Sequence, residues 1–255
     1  MIGDKVWVGA ENYQTMVADP LFWQSLKVTG VYSMLAVPLG VLFALGLAVL
    51  LNQKIRGVNL YRTIFYIPSV ISGVAAAMLW AWIFSPEFGV MNAALDLVGI
   101  EGPKWLYDPE LVVPALVMMS LWSVGGSMII YLAALQGVPS ELYEAATVDG
   151  AGWWRRFWHV TLPQISPVLF FTLVTGMINS FQTFTQAYVM TNGGPKNASL
   201  FFGLYLYNNA FRYMKMGYAS ALAWTLLLIV LALTLLTFVT ARFWVHQETD
   251  SGGWV

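Results

Sequence analysis

Cysteine is absent from this 255-residue chain, which excludes disulfides and thiolate metal sites. Histidine is almost absent: His159 and His246 stand far apart, so no cluster with metal-ligand spacing exists. Charge is scarce as well. Asp, Glu, Lys and Arg make up 10% of the chain with a net of −1, which leaves no basic surface for nucleic acid. No G-x-x-x-x-G-K-S/T stretch occurs, so the glycine loop whose amides cradle phosphate is missing and nucleotide is not bound by that route. No nucleophile and base pair and no metal cluster is visible, so the sequence offers no catalytic constellation. Set against these absences, 58% of residues are hydrophobic and 12 are Trp, too apolar for a soluble domain of this size. The expected class is an all-α, polytopic transmembrane bundle whose solvent is membrane lipid.

Five apolar runs read as spans, at about 28–51, 64–84, 111–135, 164–190 and 219–241. Each supplies roughly the 20 residues that cross a hydrocarbon core. Pro38 falls mid-span and predicts a kink, whereas Pro68 and Pro167 fall in first turns, where no helical donor is lost. Trp80 and Trp82 are expected as interfacial anchors. Residues 1–25 have no basic region leading into an apolar core and a small-residue cleavage site, so they do not read as a signal peptide. Residues 26–245 form the membrane domain and 246–255 a polar tail. In the outer segment 85–110, Val90, Met91, Ala94, Leu95 and Val98 predict a short surface helix ended by Gly99.

None of the five runs contains Asp, Glu, Lys, Arg or His. Intramembrane ionisable groups are the expected mark of proton relays and charged-solute sites, so their absence points to a neutral, hydroxyl-rich solute. Two polar stripes are candidates for its path. Ser120, Ser123, Ser127 and Tyr131 recur at helical spacing and either line a hydrated route or bond to a neighbouring helix, an interaction of about 0.6 kcal/mol. Asn179, Gln182, Thr183 and Gln186 follow i, i+3, i+4, i+7. An unpaired amide in hydrocarbon costs several kcal/mol, so this face is expected to meet water, solute or another polar face, with Phe181 and Phe184 beside it to hold the apolar face of a sugar.

The polar island Gly137–Pro163, GVPSELYEAATVDGAGWWRRFWHVTLP, separates two long apolar runs. Val138, Pro139 and Ser140 begin a helix, Glu141 and Glu144 favour its positive end, and Gly150 marks a turn before a second short helix rich in Trp and Arg. Glu144, Ala145, Ala146, Gly150, Val160, Thr161, Leu162 and Pro163 carry the pattern of the EAA loop, and on these residues the chain resembles bacterial ATP-binding-cassette importer permeases; Val160 stands where the pattern usually has Ile. The segments TNGGP and GYASALAW further resemble the carbohydrate-importer branch, of the maltose and lactose first-permease type.

That resemblance implies a type I importer permease fold that here lacks the usual first helix. It implies that loop 137–163 seats in an ATPase subunit through Glu141, Glu144, Ala145, Ala146, Asp149, Gly150, Phe157, Leu162 and Pro163. It also implies a second permease subunit forming a heterodimer, two ATPase subunits that bind the ATP and Mg, and an extracytoplasmic solute-binding protein met by Asn192, Gly193, Gly194 and Pro195. This chain would itself carry no cofactor and lie in the bacterial cytoplasmic membrane. The charge count does not set orientation: Lys54, Arg56, Arg62, Arg155, Arg156 and Arg242 on one side balance Lys5, Lys27, Lys104, Lys196, Arg212 and Lys215 on the other. The resemblance sets it, with residues 1–25 an extracytoplasmic segment, the loop inside and residues 246–255 a cytoplasmic tail. The expected function is uptake of a neutral carbohydrate or polyol. Glycerol-3-phosphate, another small solute, or an ATP-independent secondary carrier are the alternatives.

Overall fold

The computed structural model describes residues 7–53 and 56–245. Lys5, Lys54, His246 and the 246–255 tail lie outside the described residues. Every regular element among the described residues is helical. In chain order these are α1 (Glu11–Ala18), α2 (Pro20–Leu51), α3 (Val58–Val70), α4 (Gly73–Ile83), α5 (Val90–Asp96), α6 (Val112–Trp122), α7 (Gly125–Gly137), α8 (Ser140–Val148), α9 (Trp153–Arg156), α10 (Leu162–Phe181), α11 (Phe202–Tyr207) and α12 (Met216–Ala241). Three stretches, Phe157–Thr161, Ala187–Thr191 and Asn208–Arg212, wind more widely than an α-helix, with hydrogen bonds reaching five residues back.

Three continuous helices, Pro20–Leu51, Trp153–Phe181 and Met216–Ala241, are each long and apolar enough to cross a bilayer. The interrupted pairs α3 with α4 and α6 with α7 bring the number to five when each pair counts as one crossing. The continuous helices are longer than their apolar runs. At about 1.5 Å per residue the 32 residues of α2 reach about 48 Å, well beyond a hydrocarbon core of about 30 Å. Lys27, Arg155, Arg156 and His159 therefore fall inside helices, near their ends. The α2 start lies at Asp19 and Pro20, not near Val28: Asp19 Oδ1 accepts the Leu21 amide at 2.8 Å, and proline suits the first helical position, where its missing N–H would have had no partner.

The interruptions correct the reading of single spans. Between α3 and α4, Ser72 takes extended backbone (φ −60°, ψ 142°) and its hydroxyl accepts the Ala75 amide at 3.4 Å, so a new helix is capped in mid-run. Pro68 accordingly lies inside α3, not in a first turn. The 164–190 run begins earlier and stops earlier than expected. It joins α9 through the wide turn at Phe157–Thr161, and α10 ends at Phe181. Pro167 is thus interior. Its ring removes the donor that the Pro163 carbonyl would have used, and the Ser166 hydroxyl donates to that carbonyl at 2.7 Å instead.

The described residues divide into two compact units, one within 1–36, 71–120 and 177–232, the other within 37–70, 121–176 and 233–255. The first has a core of Phe22, Tyr32, Leu116, Phe201, Phe202 and Leu222, among others. Ser25, Thr29 and Ser33 are buried at four-residue spacing along α2. Thr29 accepts the Phe202 amide at 2.8 Å and Ser33 accepts the Ser180 hydroxyl at 2.7 Å, so these two are satisfied across elements, while Ser25 donates to the Phe22 carbonyl at 2.8 Å within its own helix. Tyr205 and Tyr218 both donate to Asp19 Oδ2, and burial first, then the hydrogen bond to Asp19, holds the Tyr205 phenol well above the ordinary tyrosine range. Trp80 packs at 5.0 Å from Phe84 and is buried; it belongs to the interior, while Trp82 is exposed.

In the second unit the core is built from the later part of α2 (Ala44, Leu45, Ala48), α7 (Met128, Leu132, Leu135) and α10 (Ile165, Leu169). Gly125 opens α7 directly against α3. A Cβ there would strike the Phe65 carbonyl and come within 2.8 Å of Tyr66 Cα, so only glycine permits the contact.

Candidate coupling loop and solute pathway

The loop begins with Pro139 in extended conformation, followed by α8 with Glu141 in its first turn. One face of α8 holds it to the next helix. The Tyr143 and Thr161 hydroxyls are 3.0 Å apart, the Thr147 hydroxyl donates to the Tyr143 carbonyl at 2.6 Å, and Arg156 Nη1 donates to Thr147 Oγ1 at 3.1 Å. On the opposite face Glu141, Glu144, Ala145 and Val148, at i, i+3, i+4 and i+7, form an exposed stripe. Val148 is 89% exposed, an apolar side chain set among acids. Asp149 and Gly150 are also exposed, and Gly150 has φ +75°, the left-handed turn that its position predicts. Ala146, Phe157, Leu162 and Pro163 are half-buried. Sequence reasoning named the exposed stripe except Val148, and named Thr161 only as part of the motif; it gave no contact role to Tyr143, Thr147 or Arg156, whose bonds across to Thr161 and to each other join separate helices.

The serine stripe does not lie on one straight helix. Ser120 is on α6, Ser123 is in the interruption, and Ser127 and Tyr131 are on α7. Ser120 donates to the Val117 carbonyl at 2.7 Å, and the side chains of Ser120 and Thr183 lie near the Tyr32 hydroxyl. Tyr131 is fully buried, its hydroxyl 2.5 Å from Thr172 Oγ1, in the core described above. It therefore joins helices instead of facing an open path in this chain.

The amide stripe is broken too. Asn179 lies at the end of α10, Gln182 and Thr183 in the break, and Gln186 at the start of the helical stretch running to Thr191. Asn179 and Gln182 are exposed and Gln186 is half-buried. Phe181 is buried and unavailable to a ligand. Phe184 stacks at 5.2 Å on Tyr188 and lies 5.0 Å from Tyr207. The aromatic surface next to the amides is therefore Phe184, Tyr188 and Tyr207, which becomes recognisable only once the wide turns bring them together.

The outer turn is tied from several sides. Thr191 and Ser199 hydroxyls are 2.6 Å apart, Ser199 donates to the Gly194 carbonyl at 2.5 Å, and Arg212 Nη1 donates to Asn192 Oδ1 at 3.1 Å. Asn192 is exposed; Gly193 is buried with φ +89° and a Leu200 methyl 3.3 Å from where a Cβ would sit. Gly194 and Pro195 are half-buried. Among the described residues no group of His, Asp or Glu is placed to hold a metal ion.

Comparison with known proteins identifies the family. The family model described as binding-protein-dependent transport system inner membrane component matches residues 36–246. The chain is 46% identical to the probable ABC transporter permease protein YesP of Bacillus subtilis, over 95% of this chain and 80% of that one. It is 39% identical to the lactose transport system permease protein LacF of Rhizobium radiobacter, over 92% of this chain and 80% of that one. A crystal structure of a bacterial ABC transporter involved in import of the acidic polysaccharide alginate superposes with a TM-score of 0.84 at 26% identity, covering 92% of this chain and 84% of that one. The chain belongs to the binding-protein-dependent transport system inner membrane component family and is a multi-pass permease subunit of the cytoplasmic membrane, not an enzyme.

Proposed function

We propose that this chain is one of two permease subunits in an ATP-driven importer of a neutral carbohydrate or polyol. Two ATPase subunits, which bind the ATP and Mg, supply the work through loop 137–163, and an extracytoplasmic binding protein delivers the solute near Asn192–Pro195. The observation that carries the reading is α8. It is clamped to the membrane helix by Tyr143, Thr147, Thr161 and Arg156 while presenting Glu141, Glu144, Ala145 and Val148 outward, so a push on the exposed face passes through hydrogen bonds into α10. Ala146, Asp149, Gly150, Phe157, Leu162 and Pro163 complete the contact and its support. Asn179, Gln182 and Gln186 are assigned to solute hydrogen bonding, with Ser123 and Ser127 as further groups of the pathway and Ser120, Thr183 and Tyr131 as supports.

Glu144→Ala is expected to reduce ATP-driven uptake in reconstituted vesicles or release the ATPase from the purified complex. Unchanged uptake together with unchanged assembly would remove the coupling role. Leucine at Asn179, Gln182 or Gln186 is expected to impair uptake while leaving assembly intact, and wild-type uptake in all three would return those amides to helix contacts. A second reading, an anionic solute, is favoured by the likeness to the alginate transporter. Competition separates the two: neutral sugars compete under the first, sugar phosphates or uronates under the second.

A further inference from the structure

Beside the coupling loop, the later part of α2 and the Trp153–Phe181 helix enclose a groove of about 650 Å³. Leu42 and its aliphatic neighbours line its length, Gln53 is its sole amide, and Trp153, Trp154, Trp158 and Trp244 line it as well. The four indoles are between 41% and 63% exposed, a concentration of large apolar surface that aqueous solvent would not favour. None of the four indole N–H groups reaches an acceptor among the described residues. An apolar helix laid in the groove would cover the leucines and leave these donors unmet. An amphiphile whose tail is hydrocarbon and whose polar end accepts hydrogen bonds would satisfy both.

The nearby charge selects among amphiphiles. Arg155 lies between the groove residues Trp154 and Trp158 in sequence, and Arg242 lies two residues before Trp244. The chain contains no Asp or Glu from Ala151 to Gln247. Asp149 alone shares a small pocket with Arg155, Arg156 and His159, leaving cation in excess. We infer that the groove binds an anionic glycerophospholipid, with an acyl chain along α2 and α10, ester and phosphate oxygens accepting from the indoles, and the headgroup charge favoured by Arg155 and Arg242. The occupant would also steady α8, because Phe157 lines the groove and the same helix carries the Arg156 and Thr161 bonds to the coupling helix.

The test is native mass spectrometry of the assembled transporter, released from detergent after addition of phosphatidylglycerol or phosphatidylcholine. One phosphatidylglycerol is expected to remain per copy of this chain, in preference to phosphatidylcholine. Arg155→Gln should cut that preference about fivefold, the loss expected for one arginine near a lipid charge. Trp154→Leu combined with Trp158→Leu keeps the groove apolar but removes two donors, and should abolish retention of the bound lipid. Arg155→Gln alters only an exposed side chain, so its result stands if the double variant fails to assemble. Equal retention of the two lipids by wild type, or crosslinking of Trp154→Cys to a partner permease in a lipid-free complex, would overturn the assignment.

Discussion

Gly150 has no atom within 4 Å of a built Cβ, yet its φ of +75° still demands glycine. Alanine there is expected to cost about 1–2 kcal/mol, the penalty of a left-handed residue with a side chain. Because α8 rests on few contacts, that cost should appear as weaker ATP-driven uptake with little change in the thermal unfolding of the complex. Gly125 is the opposite case, constrained by space and not by φ. Gly125→Ala is expected to lower stability by about 1–3 kcal/mol through overpacking, whereas Gly126→Ala, with open space around it, should be neutral or slightly stabilising; melting temperatures of the two variants decide this. Tyr131→Phe should leave uptake nearly unchanged and cost only about 0.6 kcal/mol, since Thr172 keeps its bonds to the Val168 and Leu169 carbonyls. A large loss of uptake in that variant would place Tyr131 in the solute path after all.

At the scale of elements, hydropathy located the runs but not their interruptions. An apolar scan cannot see Ser72 cap a new helix in mid-run, because a cap needs only one hydroxyl and a change of ψ. The Ser123–Gly126 stretch carried a usable signal in its two glycines. The break at Gln182–Phe184 carried none, having neither glycine nor proline, so a continuous stripe of amides was the reasonable reading. By contrast the backbone of the 137–163 loop was legible in its helix start and its turn, because both are set locally. What holds the loop down was not legible, since Tyr143 finds Thr161 eighteen positions away. The Ser166 bond to the Pro163 carbonyl offers a test of how α10 tolerates its prolines. Ser166→Ala leaves the partly buried Pro163 carbonyl short of this donor and is expected to cost about 1 kcal/mol, readable as a lower melting temperature without a change in solute competition.

Across the whole molecule, charge sits at helix ends and in loops: Lys27, Arg62, Arg155 and Arg156 lie near the termini of their helices, and the apolar runs between carry none. With no ionisable relay in those runs, uptake by proteoliposomes supplied with ATP is expected to persist when a protonophore collapses the proton gradient. Loss of uptake under that treatment, with ATP held constant, would point to the secondary carrier instead.

The wide turn at Phe157–Thr161 has one more consequence. A turn with hydrogen bonds five residues back holds one residue more than an α-helical turn, so it works as a phase insert: everything before it is rotated by about 100° relative to an uninterrupted helix. The rotational setting of Trp153 to Arg156 against α10 is thus stored in one surplus residue. Deleting one residue there would restore a plain helix and swing Arg156 away from Thr147 without changing any side chain in the contact.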